Sequence, residues 1–164
     1  AIADGRRLIT VLFTDIVGST EKAVEYGDTK WRNLLDHHHA LVRKALSKFK
    51  GREIDTAGDG FFATFEQPAN AIRCASAVSK QVAEFDLEIR AGLHLGECEF
   101  TDGAVRGVTV HIGARVAAKA KAGDVLVSRT VKEALAGSEI RFKERGAYQL
   151  KGIPGEWSLF AAEL

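Results

Sequence analysis

Leu8-Ile9-Thr10-Val11-Leu12-Phe13 is a nearly unbroken run of β-favouring side chains, and no other segment limits the possible folds as sharply. A strand that faces water on one side alternates apolar and polar residues, so a run without that alternation belongs in the middle of a sheet, covered on both faces. The rest of the chain must supply the cover. From Trp31 the apolar residues Leu34, Leu35, Leu41, Val42, Ala45, Leu46 and Phe49 recur at three- and four-residue steps, with Gly51 as a stop, which predicts a long amphipathic helix. Ile54 to Thr56 and Phe61 to Phe65 flank Ala57-Gly58-Asp59-Gly60, the pattern of two antiparallel strands joined by a tight turn. Pro68 suits a first helical turn, and Ala71, Ala75, Val78 and Val82 behind it share one face. In Ile89-Arg90-Ala91-Gly92-Leu93-His94-Leu95 every second residue is apolar, so Ile89, Ala91, Leu93 and Leu95 face a core.

This β-α-β-β-α-β order predicts an α+β fold, a ferredoxin-like split βαβ sheet with helices on one face and the first strand in the middle. A C-terminal α/β extension follows, with a small-residue helix over 108–122, a strand at Val125-Leu126-Val127, a short helix over 130–136 and a hairpin over 140–164. Neither a repeat nor a linker interrupts the pattern, and residues 1–164 read as one domain, long enough to bury a core. Composition mainly excludes. The 23 basic and 22 acidic side chains leave a formal charge of +1, without the positive excess that drives phosphate-backbone binding, so nucleic acid is not an expected partner. Cys74 and Cys98 form no C-x-x-C pair, and two isolated thiols suit a reducing cytoplasm. No run is long enough to span a membrane, and Ala1-Ile2-Ala3-Asp4-Gly5-Arg6-Arg7 has no signal-peptide character. Because a core strand begins almost at once, the chain reads as a module of a longer protein.

Two carboxylates stand out. Asp15 lies just past the first strand, in Phe13-Thr14-Asp15-Ile16-Val17-Gly18-Ser19-Thr20, ahead of a helix start that Ser19 or Thr20 would cap. Backbone N–H groups of Val17-Gly18-Ser19-Thr20 and the positive end of that helix offer a place for phosphate oxygens. Asp59 sits in the hairpin turn. The strand order above brings Asp15 and Asp59 to one end of the sheet, where two like charges need a cation between them. Hard divalent ions bound by carboxylates and substrate phosphates meet that need, as a pair roughly 3.5–4 Å apart in phosphoryl chemistry. Taken singly, Asp15 reads as a helix cap and Asp59 as a turn residue. The chain contains neither G-x-x-x-x-G-K-[ST] nor G-x-G-x-x-G, which removes the P-loop and dinucleotide explanations for a phosphate site.

Phe13-Thr14-Asp15-Ile16, Asp55-Thr56-Ala57-Gly58-Asp59-Gly60, Gly92-Leu93-His94-Leu95-Gly96-Glu97 and Val110-His111-Ile112-Gly113-Ala114-Arg115 together resemble the class III adenylyl and guanylyl cyclases, especially bacterial and mycobacterial members, over nearly the whole chain. The resemblance implies a head-to-tail homodimer with ATP or GTP at the interface and two Mg2+ or Mn2+ ions per site. Asp15, Asp59 and Ile16 would hold the ions in one subunit, beside substrate contacts from Phe13, Thr14, Gly58 and Val17 to Thr20. Arg115 matches the arginine that stabilises the transition state, a role a guanidinium fork suits. His111, four residues earlier and so on the same helical face, replaces the family's ribose-orienting asparagine; packing is its plainer reading. Lys151 matches a lysine that contacts the triphosphate, although read alone it is an exposed hairpin lysine.

The purine-reading positions depart from the family pattern. Adenylyl cyclases carry lysine where Asp55 stands, and aspartate where the alignment puts Ala104, with Asp102 two residues away. An acidic residue at position 55 accepts hydrogen bonds and so leans toward guanine. Bacterial relatives with altered base readers still make cyclic AMP, which keeps adenylate cyclase as the first reading, guanylate cyclase as the second, and a cyclase-like regulatory module as the third. Retention of Asp15, Asp59 and Arg115 argues against the last. A ferredoxin-like RNA-binding module would need exposed strand aromatics and a basic surface, of which the sequence gives no clear sign. His37-His38-His39 does not predict a metal centre, because consecutive helical residues point about 100° apart; a solvated or half-buried helix face is expected. His94 has no second ligand at useful spacing, and Lys119 to Lys121 read as the ordinary cationic end of a helix.

Overall fold

The computed structural model describes residues 3–164. The long first strand β1 (Gly5–Ile16) lies between β3 (Gly60–Phe65) and β4 (Ile89–Thr101), antiparallel to both, with β2 (Arg52–Ala57) outside β3. Beyond β4 come β6 (Val125–Ser128), parallel to it, then β8 (Glu156–Glu163) and β7 (Arg141–Gln149); the order is β2-β3-β1-β4-β6-β8-β7. A short β5 (Ala104–Arg106), not anticipated in the sequence, folds back on the end of β4. The ferredoxin-like core with its C-terminal α/β extension therefore stands as expected.

Burial of Val11 and Leu12 at 0% and 3% exposure places β1 between two layers. Leu12 and Ile16 pack with buried residues of α2 (Asp28–Lys48) and α3 (Pro68–Val82), whereas Ile9 and Val11 point to the other face. That second face is covered by α4 (Val108–Lys119), the helix of the extension, while Val131 of α5 (Arg129–Ala134) joins the first core. α4 lies unusually close to the sheet because three glycines remove side chains from the contact. A Cβ on Gly92 would stand 2.2 Å from the Ala117 backbone nitrogen, one on Gly113 2.5 Å from a Val11 methyl, and one on Gly96 2.5 Å from the Thr109 hydroxyl.

Some local expectations change. The helix after Asp15, α1 (Ser19–Tyr26), is capped by Gly18 in left-handed geometry at φ 66°, and neither Ser19 nor Thr20 makes a side-chain cap. A glycine that accepts this φ without strain turns the chain directly into the helix, so the hydroxyls fall inside it. Gly27 separates α1 from α2. Of the three histidines, His37 packs on Phe85, His38 is fully buried, and the His38 and His39 Nδ1 atoms meet at 3.1 Å. His37 is exposed and His39 half-buried, as a solvated or half-buried face requires, whereas His38 departs from it, buried and hydrogen-bonded to His39. His94 is buried too, bonded through Nδ1 to the Ser128 hydroxyl at 2.6 Å. Cys74 and Cys98 are buried and unpaired.

Candidate active site

Asp15 occupies the penultimate position of β1, and the sheet register sets it opposite Arg90 of β4. The two form a two-point ion pair, Nε to Oδ1 at 2.9 Å and Nη2 to Oδ2 at 3.3 Å, while the third guanidinium nitrogen donates to the Ala118 carbonyl in α4 at 3.2 Å. Arg90 thereby fixes the carboxylate to the sheet and to the helix beside it. Asp59 reaches the same place by a different route. The β2–β3 hairpin turns on Gly58 and Asp59, with Gly58 at φ 59°, a left-handed conformation that favours glycine. From this turn the Asp59 carboxylate accepts the Ile16 N–H at 3.2 Å. A strand end and a hairpin turn thus place two carboxylates together.

They border two open clefts. The first, of about 480 Å³, is lined by Asp15, Ile16, Asp59, the Val17-Gly18-Ser19-Thr20 turn, Glu21, Arg90 and Lys121. The second, of about 380 Å³, shares Asp15, Asp59 and Arg90 and adds Phe13, Thr14 and Asp55, with the small residues Ala114, Ala117 and Ala118 of α4 as a wall. Phe13 stacks on Phe62 at 4.5 Å and 7°, and Asp55 is the register partner of Phe62. Gly58 meets Asp59, Ser19 and Thr20 in an adjoining depression.

A divalent ion fits this donor set. Among the described residues no three carboxylates, histidines or cysteines converge as a closed metal cage. Mg2+ is seldom caged; it binds one or two carboxylates and fills its remaining positions with water and substrate phosphates. In the first cleft three carboxylates, Asp15, Glu21 and Asp59, face two cationic side chains, Arg90 and Lys121. A polyphosphate entering a cleft whose own side chains do not exceed its acids in positive charge needs further cations, and hard oxygen donors select hard ions.

The remaining sequence-predicted residues lie elsewhere. Arg115 donates through Nε to the carbonyl of Lys151 at 3.1 Å, joining α4 to the loop after β7, and Lys151 is exposed along a separate groove. His111 is exposed one turn before Arg115, and Ala104 is half-buried in β5. None of Arg115, His111, Lys151 and Ala104 lines the clefts at Asp15 and Asp59. Arg90 was not singled out by the sequence; counting the antiparallel register from Asp15 would have found it, because the two residues share a sheet face. Lys121 lies two residues past the end of α4, which stops at Lys119 and not at 122 as expected, and it lines the first cleft, held by its N–H donating to Asp124 at 2.8 Å.

Known proteins carry the same domain. The family model for the adenylate and guanylate cyclase catalytic domain matches residues 3–162. The chain is 29% identical over 165 residues to a pH-sensitive adenylate cyclase of Mycobacterium tuberculosis, covering 95% of this chain and 41% of that protein. It is 26% identical over 157 residues to putative adenylate cyclase 3 of Rhizobium meliloti, covering 90% and 27%. The serine/threonine-protein kinase pkn2 of Myxococcus xanthus matches 94% of this chain at 27% identity, within 20% of its own length. This chain therefore spans well under half of these curated relatives. Among solved structures the fold superposes on the adenylyl cyclase CyaB from P. aeruginosa with TM-score 0.88, 21% identity and coverage of 99% and 96%. It also superposes on the guanylate cyclase domain of RhGC from Catenaria anguillulae in complex with GTP, with TM-score 0.86, 17% identity and coverage of 97% and 98%. With a carboxylate pair bordering two open clefts on this fold, and a family match running almost end to end, the chain belongs to the adenylate and guanylate cyclase catalytic-domain family.

Proposed function

We propose that this domain is an adenylate cyclase that works as a head-to-tail homodimer, converting ATP to 3′,5′-cyclic AMP and pyrophosphate. One observation carries the reading. The chain presents two incomplete sets of charged and polar groups on different surfaces: Asp15, Asp59 and Arg90 around one pair of clefts, and Arg115, bonded to the carbonyl of Lys151 beside a separate groove, with His111 exposed one turn earlier on α4. Neither suffices alone for an in-line phosphoryl transfer, and a two-fold pairing of copies would complete both sites at once. The curated relatives named as adenylate cyclases favour ATP.

In this mechanism the Val17 to Thr20 backbone and Arg90 receive the phosphate chain, and the phosphates give Arg90 a partner that competes with Asp15. Asp15, Asp59 and the Ile16 carbonyl would hold two magnesium or manganese ions, which when bound supply Lewis acidity toward the attacking and leaving oxygens. The ribose 3′ oxygen attacks the α-phosphorus in line, its proton passing to water or to a substrate phosphate oxygen, while the bond from the α-phosphorus to the oxygen bridging to the β-phosphate breaks and pyrophosphate leaves. Arg115 of the second copy stabilises the charge that develops on the phosphoryl oxygens, His111 orients the ribose and Lys151 neutralises the triphosphate.

Mixing two separately inactive variants, Asp59→Ala and Arg115→Ala, tests the assembly. Statistical pairing leaves one intact site in half of the dimers, so about a quarter of wild-type turnover should return. No recovery under conditions where the subunits demonstrably exchange would rule out the shared site. GTP is the second reading, because Asp55, exposed in the second cleft, only accepts hydrogen bonds and so matches guanine better than adenine. Incubation with manganese and each nucleotide, with products identified by mass spectrometry, decides between them. Predominant cyclic GMP promotes the second reading, and a folded dimer that makes neither product indicates a regulatory module.

A further inference from the structure

The turn that carries Asp59 is held from two sides. On one side Asp59 accepts the Ile16 N–H; on the other, His39 of α2 reaches the turn carbonyl of Gly58 through Nε2 at 3.0 Å. A carbonyl oxygen can only accept, so His39 Nε2 carries the hydrogen. In neutral His39 the Nδ1 atom is then an acceptor. It lies 3.1 Å from Nδ1 of His38, which must therefore donate. This assignment leaves Nε2 of His38 as a bare lone pair, and that atom is buried without a partner, as are the Thr10 and Thr14 hydroxyls. The alternative tautomer would bury an orphan N–H there instead. Desolvation keeps His38 neutral by moving its pKa down to about 4, so the donor–acceptor chain from His38 to His39 to Gly58 has one consistent set of hydrogens.

The rings are not free to leave this arrangement. Both pack edge-on against Phe61, two residues past Asp59, with centroids at 5.9 Å and 5.0 Å. One turn along α2, Arg43 lies over the same ring and pairs with Glu53 of β2 at 2.9 Å. α2 thus grips the β2–β3 hairpin at its strand and at its tip. Only the grip at the tip bears on the Gly58–Asp59 peptide, directly before the Asp59 side chain.

We propose that His39 is a positioning residue for the catalytic carboxylate, donating from Nε2 to the Gly58 carbonyl with its tautomer imposed by the buried His38, and so fixing Asp59 in its ion-binding orientation. The inference rests on Asp59 being an ion ligand, as proposed above, and reaches it through a helix with no place in the reaction itself.

The test compares His39→Gln, which keeps an N–H donor at similar reach, with His39→Leu, which keeps bulk and removes the donor. Mn2+ binding is read by electron paramagnetic resonance in the presence of a 3′-deoxy nucleoside triphosphate, which cannot cyclise. Amide hydrogen exchange at Asp59 and Gly60 is read without metal. The leucine variant should bind Mn2+ about fivefold or more weakly, the effect of one net hydrogen bond on the ligand's geometry, with faster exchange at the turn and an unaltered far-ultraviolet spectrum. The glutamine variant should stay within about twofold of wild type on the same scale. Wild-type Mn2+ affinity together with wild-type exchange in His39→Leu would overturn the proposal. Equal losses in both variants would overturn it too, because they would show that ring packing and not donation matters. If Asp15→Asn and Asp59→Asn leave Mn2+ binding intact, the ion-site reading fails instead, and the exchange data still decide whether His39 orders the turn.

Discussion

Replacing Gly92 by alanine adds one methyl group at the tightest helix–sheet contact, and its consequence can be worked from distances. The new Cβ would stand 2.2 Å from the Ala117 nitrogen and 2.3 Å from its Cα, against roughly 3.4 Å for ordinary contact. Both atoms belong to the backbone of α4, so no rotamer change relieves the clash; the helix must retreat by about 1 Å. Overpacking of this kind costs about 1–3 kcal/mol, which for a domain of this size lowers the melting temperature by roughly 2–12 °C. α4 also carries His111 and Arg115, and in the reaction proposed above a displacement near 1 Å of Arg115 lowers turnover by about 10²-fold. Urea denaturation with thermal melts gives the first quantity, and steady-state cyclase rates at saturating manganese give the second. The two losses should appear together. A melting temperature within 1 °C of wild type and unchanged kcat, on the scale just set, would refute the claim that glycine is required for helix–sheet contact and that this contact places Arg115.

Three further outcomes follow from individual contacts. Burial moves His38 and His94 down to a pKa of about 4, below the roughly 6.5 of an unfolded histidine, so between those values the unfolded chain binds protons that the folded one refuses. Stability should be full above pH 6.5 and fall as pH drops toward 4, by up to about 3 kcal/mol per histidine; a flat free energy of unfolding across this window contradicts it. Asp15→Asn and Asp59→Asn should lower turnover by at least about 10³-fold, on the scale of a lost charge-stabilising group, while leaving the melting temperature close to wild type; near-normal rates in either exclude the two-ion assignment. Asp124 accepts both terminal guanidinium nitrogens of Arg145 at 3.0 Å and 2.9 Å and also the Lys121 N–H. Asp124→Asn should therefore cost about 1–3 kcal/mol and raise KM for the nucleotide by loosening the loop that brings Lys121 to the cleft; an unchanged KM would detach that loop from substrate binding.

Much of this protein is determined by the local pattern of its sequence. The unalternating run at Leu8 to Phe13 requires two covering layers, and β1 has them. Turn chemistry at Gly58 and the periodicity behind Trp31 and Pro68 locate the hairpin and two helices to within a few residues, because backbone preference and hydrophobic period act over distances the chain itself spans. The pairing of Asp15 with Asp59 follows from strand order, which that periodicity implies.

What only the tertiary structure decides are contacts between distant segments whose side chains carry no local mark. Arg90 looks like any polar residue on the alternate face of a strand until register sets it against Asp15, 75 positions away. The histidine triplet reads as a helix surface until α2 docks on Phe61, burying His38 and turning His39 to the Gly58 carbonyl. A glycine cap replaces the expected hydroxyl cap of α1 because the chain needs a left-handed residue where β1 ends. The separation of Arg115 and Lys151 from Asp15 and Asp59 is likewise invisible to motif spacing, since sequence distance does not say which face of a sheet, or which surface of a domain, two residues share. Local physics fixes which elements form and where each begins; docking fixes which of their side chains meet, and the chemistry of the site depends on those meetings.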